Sequence, residues 1–273
     1  MRLLVSKIKG IKGFSIMEIL IALVLTAFVT AAIFKVYINQ HKNWIIQGDV
    51  TDMQQNARAA VDELTRQIRM AGFELPLGLP AIEADNTNPD TILINYADGN
   101  CFAPIEHKMP LPSAELRCDG HDVSCFYDGQ WVYIFHPDSG GGEFFEITQV
   151  QTGSSHIQHN TMPLSKCYDK GAIILSLQQV KFFIDRSDTT HPNMMIKLPG
   201  KAAQIYAENI EDLQFRYRMK NGVIVDVPAL VEDVREVLIT LVARTATPDP
   251  DLPNDPYRRR TYVSRVNVRN LDV

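Results

Sequence analysis

Few side chains in this 273-residue chain stand at spacings that could do chemistry. Cys118, His121 and Cys125 fall as Cys-x-x-His-x-x-x-Cys, half of a zinc site if the thiols stay reduced. With Cys101 and Cys167 they make an even cysteine set, which in a translocated domain predicts two disulfides with three possible connectivities. His156-x-x-His159 would sit on opposite faces of a strand, a poor geometry for one metal. Asp249, Asp251 and Asp255 could offer oxygens to calcium, but the prolines between them predict a solvated loop instead. The glycines of Ser139–Glu143, "SGGGE", lack the lysine of a phosphate-binding loop and read as a hairpin tip, and Trp131 beside "YDGQ" reads as a core or hairpin aromatic. No nucleophile elbow or zinc-protease motif occurs, so no catalytic residue, cofactor or metal is expected.

One acid stands out by its neighbours. Glu18 precedes the uncharged run Ile19–Phe34, which is apolar except for Thr26 and Thr30. A carboxylate inside a bilayer costs roughly 2.5–3.5 kcal/mol on insertion scales. Residues 1–13 carry Arg2, Lys7, Lys9 and Lys12 and no acid, net +4, whereas the remainder holds 23 basic against 32 acidic residues, net −9. Basic residues ahead of an apolar run stay cytoplasmic, which predicts export of everything after Lys35. So acidic a body is not built to coat nucleic acid. Arg258-Arg259-Arg260 is its basic run and could touch phosphates, but with only Tyr257 and Tyr262 beside it a sheet edge or solvated run is expected. The apolar segment is long enough to anchor in a bilayer, and Ala27, Ala31 and Ala32 could serve a secretory cleavage site. Neither an anchor nor a secretory signal explains Gly13-Phe14 followed four residues later by an acid.

Two kinds of element must position these residues. Val50, Met53, Ala57, Ala60, Val61, Leu64, Ile68 and Ala71 recur at helical spacing and form one apolar stripe. Asp62 is placed to reach Arg66, Gly72 to cap the helix and Pro76 to stop it. With no proline from Phe14 to Gly72, one helix from Ser15 to Ala71, roughly 85 Å long, is expected; a break near Gly48 is the alternative. Beyond Pro76 the pattern changes to strands: Thr91–Tyr96, Trp131–His136, Phe144–Val150, Ile173–Ile184, Met194–Leu198, Leu213–Met219, Glu236–Arg244 and Thr261–Val268. "AENIEDLQF" suggests a helical turn before its strand. The chain divides into residues 1–13, a helix over 14–72 (14–38 membrane-spanning, 39–72 amphipathic) and a β-rich body over 73–273.

The stretch "KGFSIMEIL" resembles the processing site of type IV prepilins. That likeness implies cleavage between Gly13 and Phe14 by a prepilin peptidase, N-methylation of Phe14, and an assembly charge pair between Glu18 and a neighbouring subunit's amine. The segments "MQQNARAAVDELTRQIRMAGF", "ENIEDLQFRYRMKNG", "VREVLITLVARTATPD" and "RRRTYVSRVNVRNL" resemble the PilW family of minor pilins. The implied fold is α+β and pilin-like, a long N-terminal helix packed on an antiparallel sheet. The implied function is priming, capping or joining a type IV pilus. Partners would be major and minor pilins, the inner-membrane assembly platform, and lipid before assembly. The implied location is the inner membrane with a periplasmic body, then the cell surface. Glu74–Lys170 matches least, and Lys35 lies near where major pilins carry a helix proline. A type II secretion pseudopilin is the alternative, and a tip adhesin or DNA receptor a further one without residues to support its ligand.

Overall fold

A computed structural model of the protein describes residues 13–138 and 140–271. The basic stretch Met1–Lys12, and with it most of the segment expected to be a leader, therefore lies outside the described residues. One helix, α1, runs Ile16–Met70 with no break at Gly48. The chain divides into two units, residues 1–49 and 50–273.

In the first unit α1 is long and apolar enough to cross a membrane, and none of its apolar window is buried. The Thr26 hydroxyl donates to the Ala22 carbonyl at 2.7 Å, which satisfies its polar atom within the helix. Tyr37, His41 and Trp44 stack successively along one side.

In the second unit the stripe on α1 turns inward, with Met53, Ala57, Ala60, Leu64 and Ile68 buried. Arg66 pairs with Glu63 at 2.6 Å rather than with Asp62, and Gln67 donates to the same carboxylate at 2.8 Å. The helix ends as its glycine predicts. Gly72 adopts φ +82°, and a Cβ there would lie 3.1 Å from Leu271 Cδ2 and 3.3 Å from Ala81 Cβ. Asn270 Nδ2 reaches the carbonyls of Arg69, Met70 and Ala71 at 3.3–3.4 Å, covering acceptors that a helix end leaves open.

The strands are β1 (Ile82–Asp85), β2 (Thr91–Pro104), β3 (Leu116–Arg117), β4 (Trp131–Phe135), β5 (Gly142–Glu146), β6 (Gln149–Gln151) and β7 (His156–Gln158). They continue with β8 (Ile173–Asp185), β9 (Asn193–Lys197), β10 (Gln204–Ala207), β11 (Ile210–Met219), β12 (Ile224–Val225), β13 (Val234–Arg244) and β14 (Arg259–Asn267). They form antiparallel sheets. One has the order β1-β2-β8-β4-β5 with β9 and β10 attached through β8, one the order β12-β11-β13-β14, and one the order β3-β7-β6. An α+β layout is thus established. Two expectations change. Phe144–Val150 splits into β5 and β6, which join different sheets, and "AENIEDLQF" holds no helical turn. There β10 ends at Ala207 and Asn209, at φ +58°, turns the chain into β11.

Two large cores fill this unit, and a smaller cluster joins Ala97 of β2, Tyr133 of β4 and Leu177 of β8. The α1 stripe packs with Ile92 and Ile94 of β2, Val180, Phe182 and Ile184 of β8, and the inward residues of β11, β13 and β14. A second core joins Ala103 of β2, Ile174 of β8, Val132 and Ile134 of β4, and Leu116, Cys118, Phe126, Ile157 and Tyr168. Strands β2 and β8 run through both, and a register shift between Ala97 and Phe102 marks the passage. The second core forms a lobe built mostly from residues 101–174. Gly142 has its own steric reason, because a Cβ there would stand 2.0 Å from the Ile134 carbonyl oxygen across the β4–β5 pair.

Candidate assembly segment

Gly13, Phe14 and Ser15 precede the first helical residue, and Phe14 is fully in the open at 83% exposure. Ser15 occupies the N-cap: its Oγ accepts from Met17 N at 3.3 Å, while Glu18 Oε2 accepts from Ser15 N at 2.9 Å. Ser-x-x-Glu is thus a capping box, with two otherwise orphaned amides satisfied reciprocally and a negative charge at the positive end of the helix dipole. The Ser15-x-x-Glu18 spacing is the sequence signal of this cap. Only one carboxylate oxygen is used by the cap, so the other remains available to a second donor.

The cysteines divide differently from expectation. Cys101 is bonded to Cys125, with Cα atoms 5.7 Å apart, while Cys118 and Cys167 are free thiols. The expected second bridge is absent because Cys118 is enclosed in the lobe core and Cys167 faces solvent. Burial, followed by the nearby Asp119 and Glu106 carboxylates, pushes the Cys118 thiol up to about 12. With Cys125 bonded and His121 Nε2 on Glu106 at 3.0 Å, the Cys-x-x-His-x-x-x-Cys residues do not converge.

The remaining candidates are also separated. His156 lies between Asp119 at 2.9 Å and Glu115 at 3.2 Å, whereas buried His159 faces the carbonyls of Ala114 at 2.7 Å and Met162 at 3.1 Å. His107 shares Asp119 at 2.9 Å, and Lys170 and His121 hold Glu106 below the usual carboxylate range. This histidine–carboxylate rim joins residues too far apart in sequence for spacing to show it. Asp249 is buried against Arg258 at 2.6 Å. Arg259 bonds both Asp255 and Glu211 and holds each below its ordinary value. Asp249 and Asp255 thus spend carboxylate oxygens on arginines, and two arginines of the basic run are already engaged. Glu143 of the glycine hairpin accepts from Ser165 N at 2.8 Å and from Tyr168 Oη at 3.1 Å, which ties β5 to the following loop. A Cβ on Gly200 would fall 1.9 Å from Trp131 Nε1, so the indole packs against the loop after β9 at a position only glycine allows.

Among the described residues, no group of three or more histidine, cysteine or acidic side chains is arranged to hold a metal ion. No protein-family model matches the chain, and no curated protein matches it significantly.

Proposed function

We propose that this chain is a minor pilin, an assembly subunit whose N-terminal helix moves from lipid into a bundle of like helices. One observation carries the reading: an exposed apolar helix begins two residues after Phe14, with Glu18 in its first turn ahead of the uncharged run. Burying a large apolar side chain contributes roughly 1.5–3 kcal/mol. The run Ile16–Ile38 therefore cannot stay in water and must be covered by lipid or protein. A filament covers it as well as a bilayer does, so transfer between them costs little apolar burial. In the bundle, the free oxygen of Glu18 takes the N-terminal amine of a neighbouring subunit. The amine is a cation and the Glu18 carboxylate an anion, so the two are complementary. The pairing offsets the penalty that an isolated charge suffers in an apolar core. Glu18 then selects the stagger at which acid meets amine.

The test is mass spectrometry of this chain in sheared surface filaments. A chain beginning at N-methylated Phe14 supports the reading. A chain beginning at Met1 or near Ala32, or present only in membranes, overturns it.

A further inference from the structure

We propose that the free edge of β14, with the groove between it and α1, takes up an extended acidic segment of a partner protein as a further strand of the β12-β11-β13-β14 sheet. Among the described residues β14 is the terminal strand of that sheet and pairs with β13 alone, from Arg259 opposite Arg244 to Asn267 opposite Glu236. Its outer backbone groups therefore present a ladder roughly 30 Å long at about 3.3 Å per residue. Long, unpaired edges invite strand addition, and most proteins shorten or cover them. The opposite edge of the same sheet follows that rule, since β12 has only two residues.

The surroundings of β14 are shaped to receive side chains. At its start a cleft of about 540 Å³ opens between Val50, Met53 and Gln54 of α1 and the Arg258–Arg260 run, with Asp255, bonded to Arg259, also on its wall. At its end a cleft of about 560 Å³ lies between Asp62, Arg69 and Met70 of α1 and Arg269, with Arg66, already paired to Glu63, also on its wall. A strand added to β14 would send alternate side chains towards these two clefts. Between them the Tyr262 hydroxyl is buried without a hydrogen-bond partner.

Charge selects the occupant. Arg260 lies over the Tyr262 ring, 5.7 Å from its centroid, and no ion pair joins Arg260, Arg265, Arg269 or Arg69 to a described carboxylate. Leaving several arginines uncompensated along one strand and its groove is notable in a body of net charge −9. Arg258 and Arg259, by contrast, are neutralised in place. Two copies pairing through β14 would set their arginine rows against each other, and like charges across strands are unfavourable. An acidic strand meets both requirements: its backbone completes the ladder and its carboxylates reach the free guanidinium groups, the recurrent strand-addition mode of peptide recognition. The proposal stands independently of the pilus reading.

The test uses the full chain in detergent micelles and a fluorescent ten-residue peptide of alternating Glu and Thr. Three companion probes are a Lys-for-Glu peptide, a fully N-methylated acidic peptide, and the R260E/R269E chain. Saturable binding of the acidic peptide is expected, with slowed hydrogen exchange at β14 amides. Binding should weaken by about tenfold or more with each companion probe. No saturable binding up to roughly 1 mM overturns the proposal. So does equal binding of the N-methylated peptide, which would show attraction by charge without a ladder. A chain that dimerises through β14 and excludes the peptide overturns it in favour of a second copy. The peptide comparisons decide the matter even where the arginine variant fails to fold.

Discussion

The two tasks assigned to Glu18 separate in a single pair of variants. Glu18→Gln keeps an oxygen able to accept from Ser15 N at 2.9 Å, and Gln serves the capping box as well as Glu. It removes the charge. Glu18→Ala removes both. Loss of the cap costs about 0.5–2 kcal/mol of helix stability, and loss of the charge at the helix N-terminus about 0.3–1 kcal/mol. Neither sum unfolds residues 50–273, whose cores do not include Glu18. In an assembled bundle, however, removing the carboxylate strands a neighbour's ammonium in an apolar interior, at about 3–5 kcal/mol. At about 1.4 kcal/mol per decade, that lowers incorporation on the order of a hundredfold or more. The assay is the ratio of this chain in sheared filaments to that in membranes, by quantitative immunoblot, alongside the melting temperature of the purified protein. Gln and Ala should fail to incorporate to a similar degree while melting like the unaltered chain. If Gln incorporates normally and only Ala fails, Glu18 acts as a cap alone and the charge-pair reasoning is refuted.

Other perturbations test the body. Gly72→Ala must hold φ near +82° with its Cβ against Leu271 and Ala81, so a loss of about 1–2 kcal/mol is expected, read as a fall of a few degrees in melting temperature. Native alkylation should tag Cys167 and spare Cys118, and unfolding without reductant should tag both; no tagging after unfolding would restore a second disulfide. Replacing Cys101 and Cys125 by Ser should cost about 2–5 kcal/mol, with exchange rising in the lobe before the α1 core. Burial, only partly offset by the bond from Phe215 N at 2.7 Å, raises the pKa of Asp90. Its carboxylate therefore costs stability above that raised value, and the cost vanishes as pH falls through the unfolded value near ~3.9. Asp90→Asn keeps the acceptor, so it should gain stability relative to the parent chain from pH ~4 to 7; a gain that does not vary with pH would contradict the assignment.

Where one physical signal dominated, the fold could be read from the chain. The absence of proline and the stripe from Met53 to Ile68 dictate α1, and Gly72 ends it, because each acts through neighbours three or four residues away. The alternation in β13 and the long runs of β8 and β11 are legible for the same reason. Two-residue strands such as β3 and β12 carry no period at all, and their place is set by what they pair with. Glu18 was legible as an anomaly, and Ser15 supplies its local explanation. The disulfide pairing was not legible, since depth alone separates Cys118 from Cys167. Nor was the rim around Asp119, where His107, Arg117 and His156 converge from three segments.

The division into two cores bears on how the lobe communicates with the helix. β2 and β8 pair along most of their length, from Ile92 opposite Phe182 to Pro104 opposite Ile173, so the same two strands enter both interiors. A packing fault in one core cannot be absorbed by hinge motion at a linker, because these continuous strands cross the passage from one to the other. It must instead break ladder bonds or shift register, and the irregularity at Ala97–Phe102 is where the ladder already departs from register. Loss of the Cys101–Cys125 bond should therefore loosen the lobe up to that irregularity and no further, since Cys101 lies within it and packs against the lobe core. Hydrogen exchange resolves the alternatives: protection at Ile92–Tyr96 should survive reduction while protection at Ala103–Ile105 is lost. Equal loss at both would show that the two interiors form one cooperative unit in spite of their separate packing.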